Sequence, residues 1–563
     1  MRLAKHSLLA AAAAVAALAV PAPSASASPG QESIFQDDNL LVSGSDQQVE
    51  ATMGTLRSLG VDRVRISVFW RFVAPGMNSA SRPSFGGRSA ADPAAYGAAA
   101  WNRYDRIVAS ARRHRVEVLF SITGPAPKWA TGDKSEERGL VNPDAREFGS
   151  FVTAVGRRYS GSYADEQPRP APRPAPQPGG LPFFGPPSQP APSPPPRVLP
   201  PRVLPRVSMF SIWNEPNQPG WLRPQAVGRR PASPHIYRGL IDAAWSGLQA
   251  SGHGGDNILI GELAPRGTRR LTSGPMTPLL FLRELYCVDR RMRPFRGGAA
   301  SARRCPTEAA GRARFRSQHP ALFEAPGFAQ HPYALEVPPS TVDVIRDQVT
   351  IASLGRLTRT LDRLQRRYGS RRRMPVWLTE YGYQTNPPDP TIVGQRWSRQ
   401  AAYINEGDHI AYRNNRVRSV AQFLLVDDQP NRDVPPSNIR YWGSTFQSGL
   451  VTIGGRRKPS FFSYQRPVDA FPKRVRRGRT VRVFGQLRPA ANGSLVRASL
   501  QFRRAGSRRW RTLRRVSSRS ARNYVRPRVR VRSLGRFRFV WREGRRRVAT
   551  RSSAVRVVQR LRR

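Results

Sequence analysis

The sequence predicts an α/β chain that ends in a small all-β domain. Three observations predict it. Between residues 34 and 465, short apolar runs alternate with stretches of helical spacing. Two of those runs stop on a carboxylate set among aromatics, in Ser211-Ile212-Trp213-Asn214-Glu215-Pro216-Asn217 and in Val376-Trp377-Leu378-Thr379-Glu380-Tyr381-Gly382. From residue 471 onward the pattern changes to short alternating strands, about ten residues apart, with turns between them.

The elements follow in order. A first strand is expected at 34–38. Residues 46–59 carry Val49, Met53, Leu56 and Leu59 at helical spacing and stop at Gly60, a suitable C-cap. Strand 2 is 61–70, and helix 2 (100–113) presents Tyr104, Ile107, Val108 and Ala111 on one face. Strand 3 is 116–122, and helix 3 runs to Tyr159 through Phe148, Phe151, Val152 and Val155. Residues 161–206 are proline-rich low complexity that cannot pack a core, so they are expected to be extended or disordered. Strand 4 leads into Glu215, which the following proline should hold extended. Helix 4 (233–250), strand 5 (258–264), a long insertion (266–326), strand 6 (327–333) and helix 6 (341–368) come next. Strand 7 leads into Glu380, and helix 7 (396–414) and strand 8 (420–426) complete the series.

Trp-Asn-Glu-Pro-Asn followed much later by Trp-Leu-Thr-Glu-Tyr-Gly resembles the clan of retaining glycoside hydrolases that includes cellulases, mannanases and β-xylosidases. The resemblance spans residues 31–465. It implies a (β/α)8 TIM barrel with the acid/base ending strand 4 and the nucleophile ending strand 7. Since 1–3 and 4–8 are each an incomplete set of strands, the 161–206 segment is an insert in one barrel rather than a linker. It falls at the barrel's N-terminal face, away from the chemistry. The tail, 471–563, is then a separate β-sandwich-like domain.

The chemistry needs two carboxylates across the scissile bond. Glu215 is assigned as acid/base, which must start protonated, and Glu380 as nucleophile. Asn214 suits a hydrogen bond to the sugar 2-hydroxyl. The resemblance implies an arginine on strand 2 that holds the nucleophile. Arg65 is the candidate, with Arg63 competing for the role. It also implies a His or Tyr after strand 6, which His331 and Tyr333 fit. Trp70 either floors a sugar subsite or packs at the barrel rim. Many clan members end strand 8 with a Trp; none stands there, so either Trp442 in the next loop is the substitute or the site is more open. Glu262 also ends a strand but lacks the Asn partner. No metal or other cofactor is required. The expected activity is hydrolysis of a β-linked glycan by double displacement. The alternative is a non-catalytic barrel that binds a glycan or wall polymer.

The first 27 residues read as a signal peptide, with Arg2 and Lys5 before an apolar run at 8–20 and Ala25-Ser26-Ala27 as cleavage site. Export is therefore expected. Cys287 and Cys305 are the only two cysteines and should form a disulfide in an oxidising compartment. The net charge is +56, and residues 471–563 hold 32 Lys and Arg against one acid, Glu543. Such charge speaks to partners, not to fold. An anionic cell-wall polymer is the expected partner and nucleic acid is not, although a general arginine bias accounts for the charge equally well.

Overall fold

The computed structural model describes residues 28–165, 202–268, 273–392, 394–443, 445–488 and 493–558. The expected signal peptide and most of the proline-rich insert lie outside them. Eight parallel strands close a barrel: β1 (Glu32–Gln36), β2 (Arg63–Phe69), β3 (Glu117–Thr123), β4 (Met209–Ile212), β5 (Asn257–Leu263), β6 (Gly327–Gln330), β7 (Val376–Leu378) and β8 (Val417–Phe423). Each pairs with its neighbours in sequence order, and β8 returns to β1 with Ile34 opposite Ala421. The helices that follow the strands are α1 (Asp46–Ser58), α2 (Ala98–His114), α3 (Ala145–Arg158), α4 (Ser233–Ala250), α5 (Pro278–Leu285), α6 (Leu354–Arg367), α7 (Trp397–Tyr412) and α8 (Pro459–Gln465).

Alternation along each strand sorts the side chains. On β2, Val64, Ile66 and Val68 join the main core between sheet and helices. The lumen has its own small cluster of Ile34, Leu119, Met209, Leu259, Ala329, Trp377 and Ala421, one from each of seven strands. Beyond that layer the lumen turns polar, and Arg65 crosses it to reach residues of β1 and β3 and the ends of β4 and β7. A barrel with such a layer is built to place charge at the strands' C-terminal ends.

Three expectations need correction. The two ends of the insert, 161–165 and 202–206, are folded; the residues between them lie outside the described ones. Ala164–Asp165 pairs antiparallel with Arg202–Val203, Leu204 is buried, and Arg206 binds Asp256 at 2.6 Å beside the start of β5. Backbone groups at both ends of the insert find partners, so its low complexity does not leave those ends unstructured. Strand 6 ends at Gln330, so His331 and Tyr333 stand on the loop beyond it. The helix expected at 341–368 is shorter, Leu354–Arg367, after a loop and one 3-10 turn.

After α8 come β9 (Val468–Phe471), β10 (Arg474–Arg476), β11 (Thr480–Gln486), β12 (Val496–Arg504), β13 (Arg511–Ser518), β14 (Tyr524–Val525), β15 (Arg528–Arg530), β16 (Gly535–Glu543), β17 (Arg546–Ala549) and β18 (Ser553–Val558). They form a four-stranded and a six-stranded sheet. The two share one core of Val468, Val481, Val483, Leu500, Phe537, Phe539 and Val555 among others, which makes a sandwich. This unit docks on the barrel's N-terminal end. Buried Arg488 donates to the carbonyls of Gly60, Tyr464 and Gln465 and to Ser33. Gly60 has φ 80°, and a Cβ there would come within 2.6 Å of the Arg488 side chain, so both the helix stop and the docking require glycine. Cys287 and Cys305 form a disulfide beside His235 and Arg238. Among the described residues, no helix is long and apolar enough to cross a membrane.

Candidate active site

The site lies at the C-terminal ends of the barrel strands, in a cleft of about 430 Å³ lined by Asn214, Glu215, Trp221, Tyr333, Glu380 and Phe446 among others. Glu215 and Glu380 come from β4 and β7. A carboxylate oxygen of each, and a ring nitrogen of His331, lie within 4.8 Å of one another. Their side chains are 19% and 12% exposed, open to the cleft.

Glu215 is not extended. Its φ is 38°, and Trp213 (φ 67°) and Glu262 (φ 47°) share the left-handed region. Three non-glycine residues in that region are costly to hold. What holds Glu215 is a 2.9 Å bond from its N–H to the Glu262 carbonyl, a cross-strand contact that outweighs the local preference set by Pro216. Trp213 is fully buried against Phe148 and donates its indole N–H to the Trp221 carbonyl. It anchors the bend rather than touching the cleft.

Arg65, not Arg63, reaches the site. Its Nη1 donates to Glu380 Oε1 at 2.9 Å and to Gln36 at 2.5 Å, and its Nη2 donates to Asn214 at 2.7 Å and Ser121 at 3.1 Å. Arg63 is tied to Glu32 at 2.9 Å. Tyr333 donates its hydroxyl to Glu380 Oε2 at 3.2 Å. His331 sets Nδ1 2.8 Å from Glu215 Oε1 and 3.3 Å from Glu380 Oε2, and Nε2 2.5 Å from Glu262 Oε2.

The electrostatics follow from this packing. Burial works against a charged His331 ring, but Glu380, Glu215 and Glu262 outweigh it and lift the imidazole to about 10. Burial pushes Glu262 up, but Arg65 and His331 overcome it and leave that carboxyl at about 2. Burial likewise pushes Glu380 up, and the His331 and Arg65 cations restrain the rise. The Tyr333 hydroxyl is held well above its ordinary range, first by burial and then by Glu380, so it stays a donor.

Two candidates for the cleft do not line it. Trp70 is fully buried against Trp129, Phe148 and Phe151, and forms no floor for a ligand. It opens a short helix, Trp70–Val73, which turns its ring outward from the barrel. Trp442 packs edge-on to Tyr441 in the loop after β8 and is not among the cleft residues. Phe446 of the same loop and Trp221 of the loop after β4 supply the aromatic surfaces instead. Glu262, set aside for want of an Asn neighbour, proves to be the third carboxylate of the cluster. Its place at the end of an apolar strand was the available signal.

No protein-family model matches the sequence, and no curated relative matches it. Among solved structures, the chain is similar to a family 39 glycoside hydrolase from the gut symbiont Bacteroides cellulosilyticus WH2, at 13% identity and TM-score 0.44, covering 85% of this chain and 76% of that one. It is similar to a monomeric β-xylosidase from Caulobacter crescentus CB15 at 14% identity and TM-score 0.42, covering 90% and 94%. At these values the likeness carries no argument about activity. The (β/α)8 assignment stands on the closed parallel strand order itself.

Proposed function

We propose that the protein is a retaining glycoside hydrolase acting on a β-linked glycan. The observation that carries the reading is the pair Glu215 and Glu380, with carboxylate oxygens within 4.8 Å of each other across an open cleft. Retaining enzymes hold their two carboxyl groups about 5–5.5 Å apart, whereas inverting enzymes leave room for a water. Glu380 attacks the anomeric carbon as Glu215 gives its proton to the leaving oxygen. Glu215 then takes a proton from water, which attacks the same carbon and releases Glu380. Arg65 and Tyr333 grip both Glu380 oxygens, which orients the carboxylate and favours its ionised form. Asn214, whose Oδ1 accepts from Arg65, donates its amide N–H to the sugar 2-hydroxyl in this reading.

The test is a screen against aryl β-glycosides and polysaccharides, with the anomeric configuration of the first product read by NMR. Turnover with retained configuration supports the reading. An inverted product, or binding with no turnover on any substrate, sinks it.

The proposal extends to location and partner. Export is supported by the disulfide, which suits an oxidising compartment. Attachment to an anionic wall polymer is supported by an open trough of about 870 Å³ on the six-stranded sheet, lined by Arg497, Arg515, Arg542 and Arg547.

A further inference from the structure

The catalytic steps above leave Glu262 without a role, although it is the most enclosed carboxylate of the site. Its side chain is 0% exposed and does not line the cleft. Oε2 accepts from His331 Nε2 at 2.5 Å and from Thr379 Oγ1 at 2.6 Å, and it faces Arg65 Nη2 at 3.4 Å. Its carbonyl holds the Glu215 N–H. The other nitrogen of the same imidazole faces Glu215 and Glu380.

A neutral imidazole has one N–H and one lone pair. A ring between ionised Glu262 at Nε2 and ionised Glu380 beside Nδ1 must carry both protons, since a lone pair turned to a carboxylate is repulsive, and the acid form of Glu215 accepts from the same Nδ1–H through its carbonyl oxygen. The charged groups around the ring are Glu215 from β4, Glu262 from β5 and Glu380 from β7, with Arg65 of β2 behind the last two and the Tyr333 hydroxyl donating to Glu380. From this geometry, and resting on the glycosidase reading, we propose that Glu262 is a positioning residue. It holds His331 as a fixed imidazolium between the two reacting carboxylates and so sets the pH range in which they work.

The consequence for the reaction is directional. While Glu380 is free, the imidazolium is shared between Glu380 and Glu215, and it favours the ionised nucleophile. Once Glu380 is esterified to the sugar its charge is gone, and the imidazolium then acts on Glu215 alone in the cleft.

The experiment has two readouts on the full-length mature protein. In Glu262→Gln the amide oxygen still accepts from Nε2, but one of the three anions that hold the ring charged is gone, so the imidazolium is expected to lose its second proton at lower pH than in the wild type. The acid limb of the kcat/KM profile is expected to move up by about one pH unit or more, because a cation beside Glu380 has been removed. KM at the optimum should be unchanged. Glu262→Asp keeps the charge and should leave the limb nearer that of the wild type. The second readout is the 15N spectrum of the histidine rings, with the His331 signal identified by its absence in His331→Gln. Two protonated nitrogens are expected in the wild type at pH 8, and a neutral ring in Glu262→Gln. A neutral His331 in the wild type at pH 7 overturns the proposal, as does an equal shift of the limb in the Asp and Gln variants. Absence of turnover in the wild type would overturn the glycosidase reading alone, because the ring's protonation is read without substrate.

Discussion

The Arg65 guanidinium lies 2.9 Å from the Glu380 carboxylate, although 315 residues separate them in the chain. One planar cation crosses the lumen and binds Gln36, Ser121, Asn214 and Glu380 at once. It therefore aligns the Asn214 amide, beside Glu215, and the Glu380 carboxylate as a single unit. A lysine could not, having neither the fork nor the reach in two directions. Arg65→Lys should lower kcat by about 100-fold with an intact fold, since misplacement of about 1 Å costs that much. Steady-state kinetics beside a thermal melt check this. Wild-type kcat would remove Arg65 from its role.

The two carboxylates should separate kinetically. Glu380→Gln is expected to remove nearly all turnover on every substrate. Glu215→Gln should spare the first step for aryl glycosides with good leaving groups and lose it for poor ones, since only the latter need the proton. Single-turnover kinetics over a leaving-group series decides it, and equal losses across the series would reverse or remove the assignment.

Stability should have two limbs in pH. Glu262 at about 2 is depressed from its ordinary value, so its contribution is present above the unfolded carboxyl pKa and is lost as pH falls toward 2. His331 at about 10 is raised, so its contribution is complete below the unfolded imidazole pKa and is lost as pH rises toward 10. Melting temperatures of the wild type and His331→Gln should therefore converge as pH climbs from about 6.5 to 10. A gap constant over that window would show that His331 is not charged there.

Trp70 and Trp221 should respond oppositely. Trp70→Ala opens a cavity in a packed aromatic cluster and should cost about 3–5 kcal/mol of stability. Trp221→Ala removes a cleft wall and should raise KM with little change in melting. Denaturant unfolding beside KM measurement separates them.

The trough on the sandwich should bind by position as well as by charge. Replacing Arg497, Arg515, Arg542 and Arg547 by Gln should abolish salt-sensitive retention on an anionic polymer. The same number of changes at exposed Arg474, Arg476, Arg477 and Arg479 should leave most of it. Equal losses would mean bulk charge alone. Substitution is the suitable probe, since cutting the chain at Tyr464 would uncover Tyr412, which packs on Phe484 and Tyr524.

Much of the barrel could be read from the chain because strand and helix periods are local. Val64, Ile66 and Val68 alternate with Arg63, Arg65 and Ser67, and that alternation already separates core from lumen. The carboxylates at the ends of β4 and β7 were visible for the same reason, since an apolar run that stops on Glu beside aromatics is locally anomalous. Trp70 stayed open between two places because an indole at a strand's end has the same local pattern whether it faces a sugar or packs inside. The bend at Glu215 was missed because the force behind it, the Glu262 carbonyl, comes from another strand.

By itself the sequence determined the order of strands and helices, the two carboxylates and the cysteine pair, all of which depend on residues near one another or on chemistry that stands out from its surroundings. Only the tertiary structure decided that Arg65 rather than Arg63 reaches Glu380, that Phe446 and Trp221 rather than Trp442 and Trp70 face the cleft, and that Glu262 and His331 complete the charge cluster. Those outcomes depend on which strand ends meet when the barrel closes, and in a buried site the balance of charge is set by all the groups that meet there together.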